Sequence, residues 1–156
     1  MSTKKSLLIV CNTPSANTQT LADATVLGAS HLDIENFDVV FRSALNATSE
    51  DVLNCQGIII GTTENFGYMS GLIKDFFERI YYPCLEHTEG LPYALYIRAG
   101  IDGQGTLTGV EKIITGLRWR RVQEPIVLQG DYQEGFTEQC KELGMSIAAG
   151  LDANIY

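Results

Sequence analysis

No stretch of this chain approaches the roughly 20 consecutive apolar residues that a bilayer-spanning helix needs. The opening "MSTKKSLLIVC" turns from basic to apolar, but only over Leu7 to Cys11, too short for a signal-peptide core. It reads as a strand of a cytoplasmic protein. Positive charge is also scarce: 11 Lys and Arg stand against 19 Asp and Glu, a net charge of −8. Such a balance argues against nucleic acid, whose phosphates demand a basic face, and against anionic lipid. It is compatible with steering toward a basic partner protein, but most acidic surfaces serve only solubility. The two histidines, His31 and His87, stand alone and suggest no metal. Cys11, Cys55, Cys84 and Cys140 form no C-x-x-C, which leaves buried free thiols in a reducing compartment as the favoured reading. There is no G-x-x-x-x-G-K-[ST] for a nucleoside triphosphate. There is no G-x-G-x-x-G for a dinucleotide pyrophosphate either.

What is present is an ordinary globular mixture. The 156 residues are 45% hydrophobic and 19% charged, enough for one compact domain with a real core. "SLLIVC" (Ser6–Cys11) and "GIIIG" (Gly57–Gly61) are continuous apolar runs, as expected of strands covered on both faces. "DVVF", "YALYI" and "IVLQ" complete a set of five strands. Between them lie segments of helical period. In "YMSGLIKDFFERIYY", read as a helix from Tyr68, the residues Leu72, Ile73, Phe76, Phe77 and Ile80 share one face, opposite the pairs Lys74–Glu78 and Asp75–Arg79. Phe136, Cys140, Leu143, Ile147 and Leu151 draw a stripe along the last helix. Thr48 and Asp51 predict a capped short helix, and residues 17–30 and 106–116 fill the remaining helical positions. Alternation of this kind calls for a parallel sheet with helices on both faces, whose ligands bind beyond the carboxyl ends of the strands.

Three loops fall at those ends. "NTPSANT" (Asn12–Thr18) meets the start of a helix, where free N–H groups and the helix dipole favour an anion. Thr13, Ser15, Asn17 and Thr18 add neutral donors suited to a phosphate, although a single Ser or Asn there often only caps the helix. "GTTENFGYMSG" carries Phe66 and Tyr68 around Gly67. Phe66 either stacks on a planar ligand or tucks into the core. "RAGIDGQGT" surrounds Asp102 with Gly100, Gly103 and Gly105, and its backbone can follow a flat ring edge or form an ordinary turn. Arg98 either lies near a ligand or pairs with a surface carboxylate, and the second reading is favoured.

Arranged this way, the residues resemble the flavodoxin-like FMN-binding proteins, including the NAD(P)H-dependent FMN reductase and quinone reductase branches. "NTPSANT" is similar to the family's T/S-x-T/S-G-N-T phosphate loop, with Ala16 in place of the usual glycine. "GTTENFGYMSGLIKDFFER" is similar to its second flavin loop and the helix that follows. There Thr63, Glu64 and Asn65 stand where the family often has a proline and a basic or aromatic residue. The resemblance implies a three-layer α/β/α fold, doubly wound on a five-stranded parallel sheet of order 2-1-3-4-5, as one domain over residues 1–156. It implies FMN with its phosphate on Thr13, Ser15, Ala16, Asn17 and Thr18. The flavin ring would lie between Thr63–Gly67 and the loop of Ala99, Gly100, Asp102 and Gly103. Neutral donors and local negative charge would disfavour the anionic reduced flavin and help set its potential.

Two other families share this order and size, and neither fits. A low-molecular-weight phosphatase needs C-x₅-R after the first strand, and here Asn17 holds the arginine position after Cys11. A receiver domain needs acidic residues where Cys11–Asn12 and Gly61–Thr62 stand. Three functions follow from the resemblance. The first is an oxidoreductase passing electrons from NAD(P)H through FMN to a quinone or similar acceptor. The second is a flavodoxin-type carrier docking on a partner redox protein, and the third a flavin-free interaction module. No catalytic residue is assigned, and the oligomeric state is left open.

Overall fold

The computed structural model describes residues 4–156. Twelve elements alternate along it: β1 (Lys5–Cys11), α1 (Ala16–Ser30), β2 (Phe37–Ser43), α2 (Ser49–Leu53), β3 (Gly57–Asn65), β4 (Tyr68–Met69), α3 (Gly71–Cys84), β5 (Pro92–Ala99), α4 (Gln104–Leu117), β6 (Arg120–Arg121), β7 (Ile126–Gln129) and α5 (Glu134–Asp152). The sheet runs β2-β1-β3-β5-β6, all parallel, with β7 also on β5 and β4 antiparallel on β3.

This is the expected order 2-1-3-4-5 with two additions. The outer strand is in two pieces: β6 pairs Pro92 and Tyr93 at one end of β5, and β7 pairs Tyr96 to Ala99 at the other. Between the pieces lies "VQEP", where Pro125 has no N–H for a ladder. The second addition is β4, which turns the end of β3 into a hairpin; Tyr68 and Met69 belong to it rather than to the start of α3.

The continuous apolar runs are explained by cover on both faces, since alternate side chains of a strand point opposite ways. Leu8 and Val10 of β1 join Ile58, Ile60, Leu95 and Ile97 under α3 and α4, against Phe76, Phe77 and Ile114. Leu7, Ile9 and Cys11 join Ile59, Ala94 and Tyr96 under α1 and α5, against Leu21, Leu143 and Ile147. Trp119 belongs to the first of these layers. Its indole N–H donates to the Thr88 hydroxyl at 2.8 Å and its ring lies 6.4 Å from that of Phe77.

The helix ends follow local chemistry. Thr48 and Asp51 form the reciprocal cap of α2, and the Ser70 hydroxyl caps α3 by accepting from the Ile73 N–H. Arg79 pairs with Asp75 as its spacing predicts, and also donates to the carbonyls of Ala47 and Ala44 at 2.6 and 2.7 Å. That ties α3 to the segment between β2 and α2. Gly28 on α1 lies so close to α5 that a Cβ there would overlap the Lys141 carbonyl. The C-terminal half of α1 and α5 therefore meet backbone to backbone. Among the described residues no helix is long and apolar enough to cross a membrane.

Candidate functional site

The ends of β1, β3 and β5 bring the three polar loops to one edge of the sheet. In the first loop Ser15 sits in extended backbone before α1 and forms a reciprocal cap with Thr18. The Ser15 hydroxyl accepts from the Thr18 N–H at 3.2 Å, and the Thr18 hydroxyl accepts from the Ser15 N–H at 2.9 Å. Thr18 is buried by this exchange, whereas Ser15, Ala16 and Asn17 remain exposed. Two of the four candidate donors are thus engaged with each other. Among the described residues, the N–H groups of Ala16 and Asn17 and the Thr13 hydroxyl have no hydrogen-bond partner. They stand at the positive end of a 15-residue helix.

In the second loop β3 and β4 pair Asn65 with Tyr68, leaving Phe66 and Gly67 as a two-residue turn. Both take positive φ, 53° and 73°, as a type I′ hairpin turn requires. Gly67 adopts this freely, and Phe66 does so at a steric cost. The Phe66 ring is fully exposed, so of its two readings the core is excluded. Below the turn, Asn12 donates from its amide to the Thr63 hydroxyl at 3.2 Å, and that hydroxyl donates to Asn65 Oδ1 at 3.0 Å. The chain Asn12–Thr63–Asn65 links the first loop to the second.

The third loop differs from expectation in two respects. Its backbone does not leave all of its N–H groups free for a ligand. The Glu64 carboxylate accepts from the N–H groups of Ile101 and Gly103, each at 2.8 Å. Asp102 accepts from the Gln104 N–H at 3.1 Å, and Gly103, at φ 68°, begins α4. Ala99 is buried at the strand end, while Gly100 and Asp102 are exposed. The second difference is Arg98, which meets no surface carboxylate. It donates to the carbonyls of Ala99 and Leu128 at 2.9 and 3.0 Å, and its guanidinium lies 5.1 Å over the Phe136 ring. An aromatic face and two carbonyls satisfy it on the α5 side of the sheet.

Three residues that the sequence does not assign to the cofactor belong to this edge. Asn12 was within the quoted loop, and its polarity at a strand end is the signal that could have found it. Ile101 acts through its N–H and Gly105 through having no side chain, since a Cβ there would overlap the Gly67 carbonyl. The first leaves no pattern in sequence, whereas Gly105 is one of the three glycines that mark the loop. Beneath the first loop, the Cys11 thiol lies 3.2 Å from the Tyr96 hydroxyl. Burial pushes the thiol up to about 12 from the usual 9.0. A phosphatase nucleophile needs the opposite shift.

No protein-family model matches the chain. A curated flavodoxin from Aquifex aeolicus (strain VF5) is 28% identical over 111 residues, which is 71% of this chain and 59% of that protein. A flavodoxin from the domain Archaea superposes with a TM-score of 0.79 at 17% identity, over 94% of this chain and 98% of that one. The chain has the flavodoxin fold. A WrbA-like flavodoxin protein from Agrobacterium tumefaciens shares the flavodoxin fold at a TM-score of 0.76 and 16% identity, over 96% of this chain and 98% of its own. In this fold the strand order reverses between β1 and β3, and open α/β sheets take ligands beyond the strand ends at that switch point. The first two polar loops described above flank it.

Proposed function

We propose that this chain binds FMN at the carboxyl edge of its sheet and serves in electron transfer. The observation that carries this reading is the start of α1: two free N–H groups and a free hydroxyl at the positive helix end, in a loop without a single cation. That donor set fits a phosphate dianion. The exposed Phe66 offers an aromatic face near the same edge, as a planar ring would use. The bound flavin would supply reversible uptake of one or two electrons. The residues of the chain would hold and orient it. Ala16 and Asn17 take the phosphate through their N–H groups, Thr13 adds its hydroxyl, and the Asn12–Thr63–Asn65 chain keeps the first two loops in register.

The finer reading is an oxidoreductase that takes electrons from NAD(P)H and passes them to a quinone or similar acceptor. It is supported by the likeness of the second loop to the reductase branches. The net charge of −8 and the 28% identity to a protein named flavodoxin favour a carrier that docks on a partner redox protein. An absorption spectrum with an FMN titration tests the cofactor; a colourless protein that refuses FMN would leave the interaction module in first place. Rapid mixing of the FMN-loaded protein with NADPH and with NADH separates the other two. Fast bleaching supports the oxidoreductase, and flavin that stays oxidised until a reductase is added supports the carrier.

A further inference from the structure

Glu64 stands at the end of β3, yet its carboxylate belongs to the loop after β5. One oxygen accepts the Ile101 N–H and the other the Gly103 N–H, both at 2.8 Å, so a single side chain spans the bend around Asp102. The other carboxylate of the loop, Asp102, accepts the Gln104 N–H instead. The residue that begins α4 is Gly103, which has no side chain with which to cap the helix. It is buried, so without Glu64 its N–H would be a buried donor with no partner, a costly arrangement. The carboxylate also puts negative charge at the positive end of a 14-residue helix. A second contact lies at the hairpin tip, where the Gly67 carbonyl packs on Gly105 too closely for any side chain there. The hairpin is thus attached to the third loop at its base and at its tip. The base attachment is the charged one.

We propose that Glu64 is a positioning residue that locks the third loop to the β3–β4 hairpin and so fixes the two loops a flavin ring would contact. This rests on the FMN reading for the ligand, but not for the lock itself. It carries a consequence that the phosphate loop does not share. Losing the lock disturbs recognition of the ring and leaves recognition of the phosphate intact. Glutamine keeps the length of the side chain but has one acceptor oxygen for two donors, with its own N–H₂ facing the other amide. Alanine abolishes both bonds.

The test compares the wild-type chain with Glu64→Ala and Glu64→Gln in two measurements. The first is amide hydrogen exchange by NMR without flavin. In Glu64→Ala the Ile101 and Gly103 amides should exchange at least about tenfold faster, with Glu64→Gln between, while Ile59 and Leu95 in the central strands keep the wild-type rate. The second is titration with riboflavin, which has the ring without the phosphate, beside FMN. Glu64→Ala should weaken both by the same factor, roughly 10- to 100-fold, because binding must then order a loop that is no longer held in place. Unchanged exchange at Ile101 and Gly103 overturns the lock. Loss of FMN affinity with riboflavin affinity retained overturns its role toward the ring. A wild-type chain that binds neither flavin overturns the FMN reading, and the exchange experiment then still decides whether Glu64 locks the loop.

Discussion

At the scale of single residues, the site edge holds side chains that serve the fold and the loop at once. Ser15 and Thr18 each satisfy an N–H of the other. Ser15→Ala is expected to cost about 0.5–2 kcal/mol of stability as a lost cap. It should weaken FMN by roughly 1–3 kcal/mol through the loosened phosphate loop. Urea unfolding and FMN titration read the two effects separately, and unchanged FMN affinity would remove Ser15 from the phosphate site. Phe66 presents the converse case. Its φ of 53° is unfavourable for an aromatic residue, and its exposed ring makes no compensating core contact. Phe66→Asn creates the Asn-Gly pair preferred in a type I′ turn. It should raise stability by about 1 kcal/mol while weakening flavin binding, because strain of this kind persists where function needs it. If thermal denaturation shows no gain, the turn is less strained than its backbone implies. If FMN affinity is unchanged, the ring does not contact the flavin.

At the scale of elements, the close approach of α1 to α5 decides how that layer packs on the sheet. Gly28→Ala would drive a Cβ into the Lys141 carbonyl, backbone that cannot rotate away. Separating the helices should cost about 1–3 kcal/mol. The cost is measured as a lower urea midpoint with an unchanged slope. A neutral result would show that the helix pair shifts freely. The same scale shows what sequence pattern reveals. The capped α2, the amphipathic α3 and the stripe on α5 were legible because each depends on residues three or four apart. The hairpin was not. Its β4 is only two residues long, too short for any period to register, and Tyr68 and Met69 read instead as the start of a helix.

For the whole molecule, burial of the thiols couples stability to alkaline pH. Burial pushes Cys11, Cys55 and Cys140 up to about 12, and Cys84 up to about 11, from 9.0. The folded chain therefore holds these protons more tightly than the unfolded chain does. The resulting stability is fully present below pH 9.0 and is lost as pH rises from there toward about 12. The urea midpoint should fall steeply over that window, and less steeply in Cys11→Ala. A midpoint constant to pH 11 would contradict the burial of the thiols. At neutral pH the same burial should make all four thiols slow toward disulfide reagents until the protein unfolds.

The alternation of strand and helix, the two-sided sheet and the gathering of polar loops at one edge were written in the sequence itself. Each follows from the spacing of apolar residues and from turn chemistry, which act over a few neighbouring positions. The tertiary structure alone decided which groups meet across that edge. Glu64 finds the Ile101 and Gly103 N–H groups 37 and 39 positions away, and Arg98 finds the Leu128 carbonyl and the Phe136 ring rather than a carboxylate. Polar side chains and backbone N–H groups pair with whatever the packing of distant elements brings within about 3 Å, and no local pattern records that distance.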